Sequence, residues 1–232
     1  MGSLRVVFLV LCALTAVHAA DIRGTVVIKH RLTKRKVTAQ ASPYQRGVAV
    51  ELGSEEPEDL LIFERTRVVV YLDGDFPSQP VVAAIEQKNR RFVPDTLVVP
   101  LGSTVSFPNL DTIFHNVFSL SKPKTFDLGN YPKDQTRTVT FARPGIVFVH
   151  CRLHPNMAAA IVVSPNQWST KADSTGRFSL AGVPPGRHTL VAWHKAAGFF
   201  QQTVQVTEDG AGDVQFIIPL DEDGINRAVA QR

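Results

Sequence analysis

The chain is poor in three things: cysteine, long apolar runs and helical periodicity. Of its 232 residues only two are cysteines, and Cys12 falls within the apolar start of the chain. A mature protein left with Cys151 alone closes no internal disulfide, so that thiol is either buried and inert or held by something. The longest apolar stretch, Val6 to Val17, is 12 residues. A membrane-spanning helix needs roughly 20, so no membrane span is expected. No amphipathic 3.6-residue pattern appears before the C-terminal tail, which excludes the helical fold classes. Charge is also nearly balanced. Without Arg5 the chain carries 24 basic against 21 acidic residues, an excess of three, and this is no electrostatic footprint for nucleic acid. No Ser/His/Asp order and no carboxylate pair stands out, so hydrolytic chemistry is not expected.

What is present begins with an export signal. MGSLRVVFLVLCALTAVHAAD has a positive start at Arg5, an apolar run and a small residue, Ala19, at the cleavage position. Residues 1–19 read as a secretory signal peptide, and the mature protein is expected to be periplasmic or secreted. Leu11 precedes Cys12 where a lipoprotein would need a small residue. The densest basic run, Lys29 to Lys36, reads as a solvated hairpin tip.

Strand-like runs then recur down the chain. They include Gly24–Ile28, Arg67–Leu72, Thr96–Val99, Thr104–Phe107, Thr136–Phe141, Gly145–Val149, Ala160–Val163, Arg177–Leu180, His188–Trp193, Thr203–Val206 and Val214–Ile218. Turn signals separate them, among them Asp73-Gly74, Pro144-Gly145 and Pro184-Pro185-Gly186. Many short strands at this spacing predict an all-β protein built of sandwiches. Trp168 and Trp193 are expected in the core or at a boundary. His188 and His194 are expected on the surface, with a second metal site the less favoured alternative.

The chemistry concentrates in VHCRLHPNM, residues 149–157. Cys151, His154 and Met157 follow at steps of three on a short loop between two strand-like runs. Such a loop turns its side chains to one centre, and Pro155 stiffens it. His115, after the segment Pro108 to Phe114, is the candidate fourth member. A thiolate, two imidazoles and a thioether suit copper better than zinc. A trigonal His2Cys site with a weak axial Met is the blue-copper pattern. His150, one step from Cys151, is expected to point to the other face of its strand.

The segment His150 to Met157 resembles the ligand loop of the cupredoxin family in its short, amicyanin-type form. Asn109-x-Asp111-x3-His115-Asn116 resembles that family's upstream ligand segment. The resemblance covers roughly residues 83–164. It implies a Greek-key β-sandwich, one type 1 copper held by His115, Cys151, His154 and Met157, and Asn116 tying the two ligand loops together. It implies no catalysis, and a redox partner of cytochrome or dehydrogenase type. Residues 172–190 resemble a carboxypeptidase regulatory-like, transthyretin-like sandwich. That family also begins with a Gly-x-Val strand, as Gly24-Thr25-Val26 does here. The expected organisation is therefore a split sandwich, residues 21–81 and 166–220, around an inserted cupredoxin domain of residues 82–165. Copper storage or delivery, and a carbohydrate- or protein-binding module, are the rival readings.

Overall fold

The computed structural model describes residues 20–33 and 60–219. Residues 1–19, read above as a signal peptide, the acidic stretch 54–59 and the tail from Leu220 onward lie outside the described residues, as do Lys34 to Lys36 of the basic run. The protein is all-β apart from one short helix. In chain order the elements are β1 (Ala20–Ile28), α1 (Leu60–Arg65), β2 (Val69–Asp73), β3 (Val82–Ala84), β4 (Glu86–Lys88), β5 (Arg91–Val93), β6 (Thr96–Pro100), β7 (Thr104–Pro108) and β8 (His115–Ser121). Then come β9 (Lys124–Tyr131), β10 (Thr136–Thr140), β11 (Gly145–His150), β12 (Ala158–Ser164), β13 (Ser169–Lys171), β14 (Arg177–Val183), β15 (Gly186–His194), β16 (Gly198–Val206) and β17 (Ala211–Ile218). Every strand-like run read from the sequence falls on one of these strands. Helix α1 was not expected, because six residues are too few to display a helical period.

Pairing sorts the strands into two sandwiches. Sheet β14-β1-β17 faces sheet β13-β2-β15-β16, and their facing side chains form one core that includes Ile22, Val70, Leu72, Leu190, Phe178 and Phe216. Sheet β6-β12-β11-β8-β9 faces sheet β10-β7-β3 around Val105, Phe107, Phe141, Val147, Val149 and Ile161. The first sandwich takes β1 and β2 from before residue 74 and β13 to β17 from after residue 168. Strand β1 runs antiparallel to β14 and parallel to β17, and β2 pairs with β15 in register from Asp73↔Thr189 to Val69↔Trp193. The second sandwich uses the chain between them.

The two sandwiches also pack on each other. Val69 and Tyr71 of β2 and Trp193 of β15 meet Ala160 and Val162 of β12, with Ile146 and Phe148 of β11 alongside. Strand β2 is therefore apolar on both faces: Val70 and Leu72 enter one core, and Val69 enters the contact between sandwiches. Strand β12 behaves likewise, with Ala159, Ile161 and Val163 on one side and Ala160 and Val162 on the other. Burial on both faces explains why these strands read as unbroken apolar runs rather than alternating ones. At the edge of this contact Arg67 bonds to Asp95, and Lys171 Nζ donates to Thr96 O at 3.1 Å.

Trp168 and Trp193 are buried, as expected. The histidines of β15 correct the surface reading: both are buried. His194 Nε2 lies 3.1 Å from Glu64 Oε2, and its Nδ1 accepts the Ala196 N–H at 3.2 Å. His188 Nε2 lies 2.8 Å from Pro184 O. Local sequence did not reveal their partners, since Glu64 sits on α1, 130 positions away from His194. No helix among the described residues is long and apolar enough to cross a membrane.

Candidate metal centre

Strands β11 and β12 form an antiparallel pair that closes at His150↔Ala158, leaving Cys151 to Met157 as the connecting loop. Two backbone bonds tighten it: Cys151 N–H donates to Met157 O at 3.3 Å, and Met157 N–H donates to His154 O at 2.9 Å. Cys151 and Met157 point into the core of the second sandwich, at 4% and 1% exposure. Met157 is the only methionine after Met1. His154 is half-buried, while Arg152, Leu153, Pro155 and Asn156 face solvent.

His115 opens β8 and is fully buried. Its Nδ1 lies 3.0 Å from His154 Nδ1, and the two rings meet edge to face. Cys151 Sγ lies 3.7 Å from His154 Nδ1. The three donor atoms all fall within 4.8 Å of one another, the one such His/Cys/Asp/Glu group among the described residues. The sequence therefore named three side chains that the fold brings together from two loops, and a buried thioether on the same loop. His150 stays on the other face, half-exposed against the Phe118 ring.

Hydrogen bonds lock the two loops to each other. Asn116 N–H donates to Cys151 Sγ at 3.4 Å. Arg152 N–H donates to Asn116 Oδ1 at 3.4 Å, and Asn116 Nδ2 donates to Asp127 Oδ1 at 2.7 Å. The Gly129 N–H and the Asn116 amide hold the Asp127 carboxyl below the usual carboxylate range, and Arg152 pairs with it at 2.9 Å.

On its far edge, His115 Nε2 lies 2.8 Å from Asp111 Oδ2. Partial burial pushes the Asp111 carboxyl up, but hydrogen bonds from the Arg90 N–H, from His115 and from the Asn89 N–H outweigh it and hold it low. Asn109 builds this loop from inside: fully buried, it donates through Nδ2 to Ile113 O and Tyr131 O and accepts the Asp111 N–H. Beneath it Tyr131 donates to Phe107 O, and burial pushes its phenol up to about 12. For His154, desolvation first, then the neighbouring His115 and Arg90, push the imidazole pKa below its ordinary value. Asn89, Arg90 and Asp127 were not legible as part of this centre, because they reach it from β-hairpins elsewhere in the chain.

Two of the three donor separations suit a single ion. First-row metals such as zinc bond imidazole nitrogen at about 2.0–2.1 Å and thiolate sulfur at about 2.3 Å, so donors on one ion stay within roughly 4.1–4.4 Å of each other. The 3.0 Å and 3.7 Å separations meet that limit.

Comparison with known proteins gives partial likenesses. The family described as polysaccharide lyase family 4, domain II, matches residues 156–214. No curated protein matches the chain. Among solved structures the chain is similar to a copper-containing nitrite reductase from Thermus scotoductus SA-01, at 24% identity over 40% of this chain and 24% of that one, with a TM-score of 0.35. It is also similar to a purple cupredoxin from Nitrosopumilus maritimus, at 23% identity over 35% of this chain and 99% of that one, TM-score 0.32. An amicyanin variant in the Cu(I) state gives 21% identity over 41% of this chain and 98% of that one, TM-score 0.34. The chain thus spans about a quarter of the nitrite reductase.

Proposed function

We propose that the protein is an exported type 1 copper protein that carries single electrons between redox partners. His115, Cys151 and His154 would hold one copper, with the buried Met157 as a fourth, weaker donor. The observation that carries this reading is the buried Cys151 sulfur beside two imidazole nitrogens that face each other at 3.0 Å. Copper, when bound, supplies a one-electron couple; soft sulfur favours Cu(I) and imidazole favours Cu(II).

The chain's own residues do the rest. The Asn116 N–H supports negative charge on Cys151 Sγ. The Asn116–Asp127–Arg152 bonds keep the two ligand loops from separating, so the donors stay in place when charge at the site changes. His154 is the half-buried member and forms the route to the surface. The exposed Leu110, Ile113 and Phe114, in the segment leading into His115, and Leu153, next to His154 in the chain, offer apolar surface for a cytochrome- or dehydrogenase-type partner. All four donor positions come from protein side chains, which leaves no position for a substrate and favours carrier over catalyst. In this reading residues 82–165 form a cupredoxin domain inserted into a carboxypeptidase regulatory-like sandwich of residues 21–81 and 166–220. Pairing of β2 with β15, on either side of residues 82–165 in the same chain, supports that division.

The test is to express the mature chain, add Cu(II) and record visible and EPR spectra. An intense thiolate-to-copper band at one copper per chain is expected. A folded protein that stays colourless overturns the proposal.

A further inference from the structure

The structure assigns Asp111 a positioning role that joins the tip of the β4–β5 hairpin to the ring of His115. Its carboxylate takes three N–H groups from two directions. Oδ1 accepts the Asn89 N–H at 2.7 Å, and Oδ2 accepts the Arg90 N–H at 2.8 Å. The third is His115 Nε2, 2.8 Å from Oδ2. Asp111 is itself held by its own N–H bond to the buried Asn109 Oδ1.

The hairpin needs this support. Lys88 pairs with Arg91, so Asn89 and Arg90 make a two-residue turn, and both sit at φ 54°. Asparagine tolerates this left-handed region, whereas arginine pays a steric penalty there through its Cβ. Such turns favour glycine at the second position. With Arg90 in its place, the turn is kept by an acceptor from outside the hairpin, and that acceptor is Asp111. The same carboxylate can only accept, so it places the His115 proton on Nε2. Nδ1, which faces His154 Nδ1 and the Cys151 loop, is then the nitrogen with a free lone pair. Turn conformation and the tautomer of His115 are linked through one side chain. The consequence for metal affinity rests on the copper reading; the tautomer and the turn do not.

The experiment uses the metal-free, 15N-labelled mature chain at pH 8, as wild type, Asp111→Ala and Asp111→Asn. Long-range 1H–15N spectra read the His115 tautomer, and amide exchange reads the turn. In wild type a single Nε2–H tautomer is expected for His115, with slowed exchange at Asn89 and Arg90. In Asp111→Ala the tautomers mix and both amides exchange faster. Asp111→Asn has one acceptor oxygen for three N–H groups and falls between; it carries the same readouts should the alanine variant fail to fold. Titration with Cu(II) is then expected to weaken about 10–100-fold in Asp111→Ala. A folded Asp111→Ala chain that keeps the pure Nε2–H tautomer overturns the inference. A wild-type chain with no thiolate-to-copper band defeats the copper reading instead, and leaves the tautomer and exchange results to decide this one.

Discussion

His115 and His154 are 39 positions apart in the chain, yet their Nδ1 atoms face each other across 3.0 Å. Two like-ended imidazole nitrogens meet this closely only if a proton or a cation lies between them. Cys151 Sγ, 3.7 Å from the second nitrogen, adds a soft sulfur donor beside the pair.

On the proposed type 1 copper reading, Cys151→Ala should abolish the intense visible band of the copper-loaded protein, because the band needs the thiolate. Met157→Leu should keep the band. It should also raise the reduction potential, since more apolar surroundings favour the lower metal charge and outweigh the loss of a soft donor. Optical titration and cyclic voltammetry check both. A Cys151→Ala protein of unchanged colour would show the ligand assignment to be wrong.

Gly24 tests the first sandwich. A Cβ at this position would lie 2.2 Å from Val214 O and 2.5 Å from the Phe178 ring, so β1 can run between β14 and β17 only with glycine there. Gly24→Ala should destabilise the protein by about 1–3 kcal/mol in urea unfolding through overpacking. Its copper spectrum should be unchanged, because the donors lie in the other sandwich.

Trp193 tests the contact between sandwiches. It is 3% exposed and packs against Phe148 and Phe199 at ring-centroid distances of 6.4 and 6.5 Å. Trp193→Ala should cost about 3–5 kcal/mol. Calorimetry should then resolve two transitions where the wild type gives one. A single transition with unchanged midpoint would mean that this contact does not couple the two cores.

Part of the pH dependence of stability follows from His194. Burial pushes its imidazole pKa down, Glu64 opposes that, and Arg67 adds to it. The Ala196 N–H bond to Nδ1 marks a neutral ring with its proton on Nε2, toward Glu64. As pH falls below about 6.5, unfolded chains take up a proton on this side chain that folded chains refuse. The unfolded state then binds more protons, so stability falls with falling pH until the lowered native pKa is passed. His194→Gln should flatten urea midpoints between pH 7 and 5 in the metal-free protein. An unchanged slope would remove His194 as the cause.

Much of the architecture was legible in local sequence. The runs at β6, β7, β10, β11 and β14 to β17 carry β-branched and aromatic residues bounded by Pro, Gly or Asp turns, and that pattern is a property of neighbours along the chain. Strand β9, KTFDLGNY, was missed because it is an edge strand with alternating exposure and a glycine at φ 67°. The loop from Cys151 to Met157 was legible because its three candidate donors lie within seven residues. Asn116 was legible through its place beside His115.

The sequence by itself determined that the chain is all-β, that Cys12 and Cys151 are its only cysteines, and that Cys151, His154 and Met157 share one short loop. Each is a matter of composition or of spacing along the backbone. Only the tertiary structure decided that His115 meets His154, that Asp111 holds His115 and the Asn89–Arg90 turn together, and that β2 lies beside β15. These contacts join residues far apart in the chain. They depend on which apolar faces find each other, and that choice belongs to the packing of whole sheets.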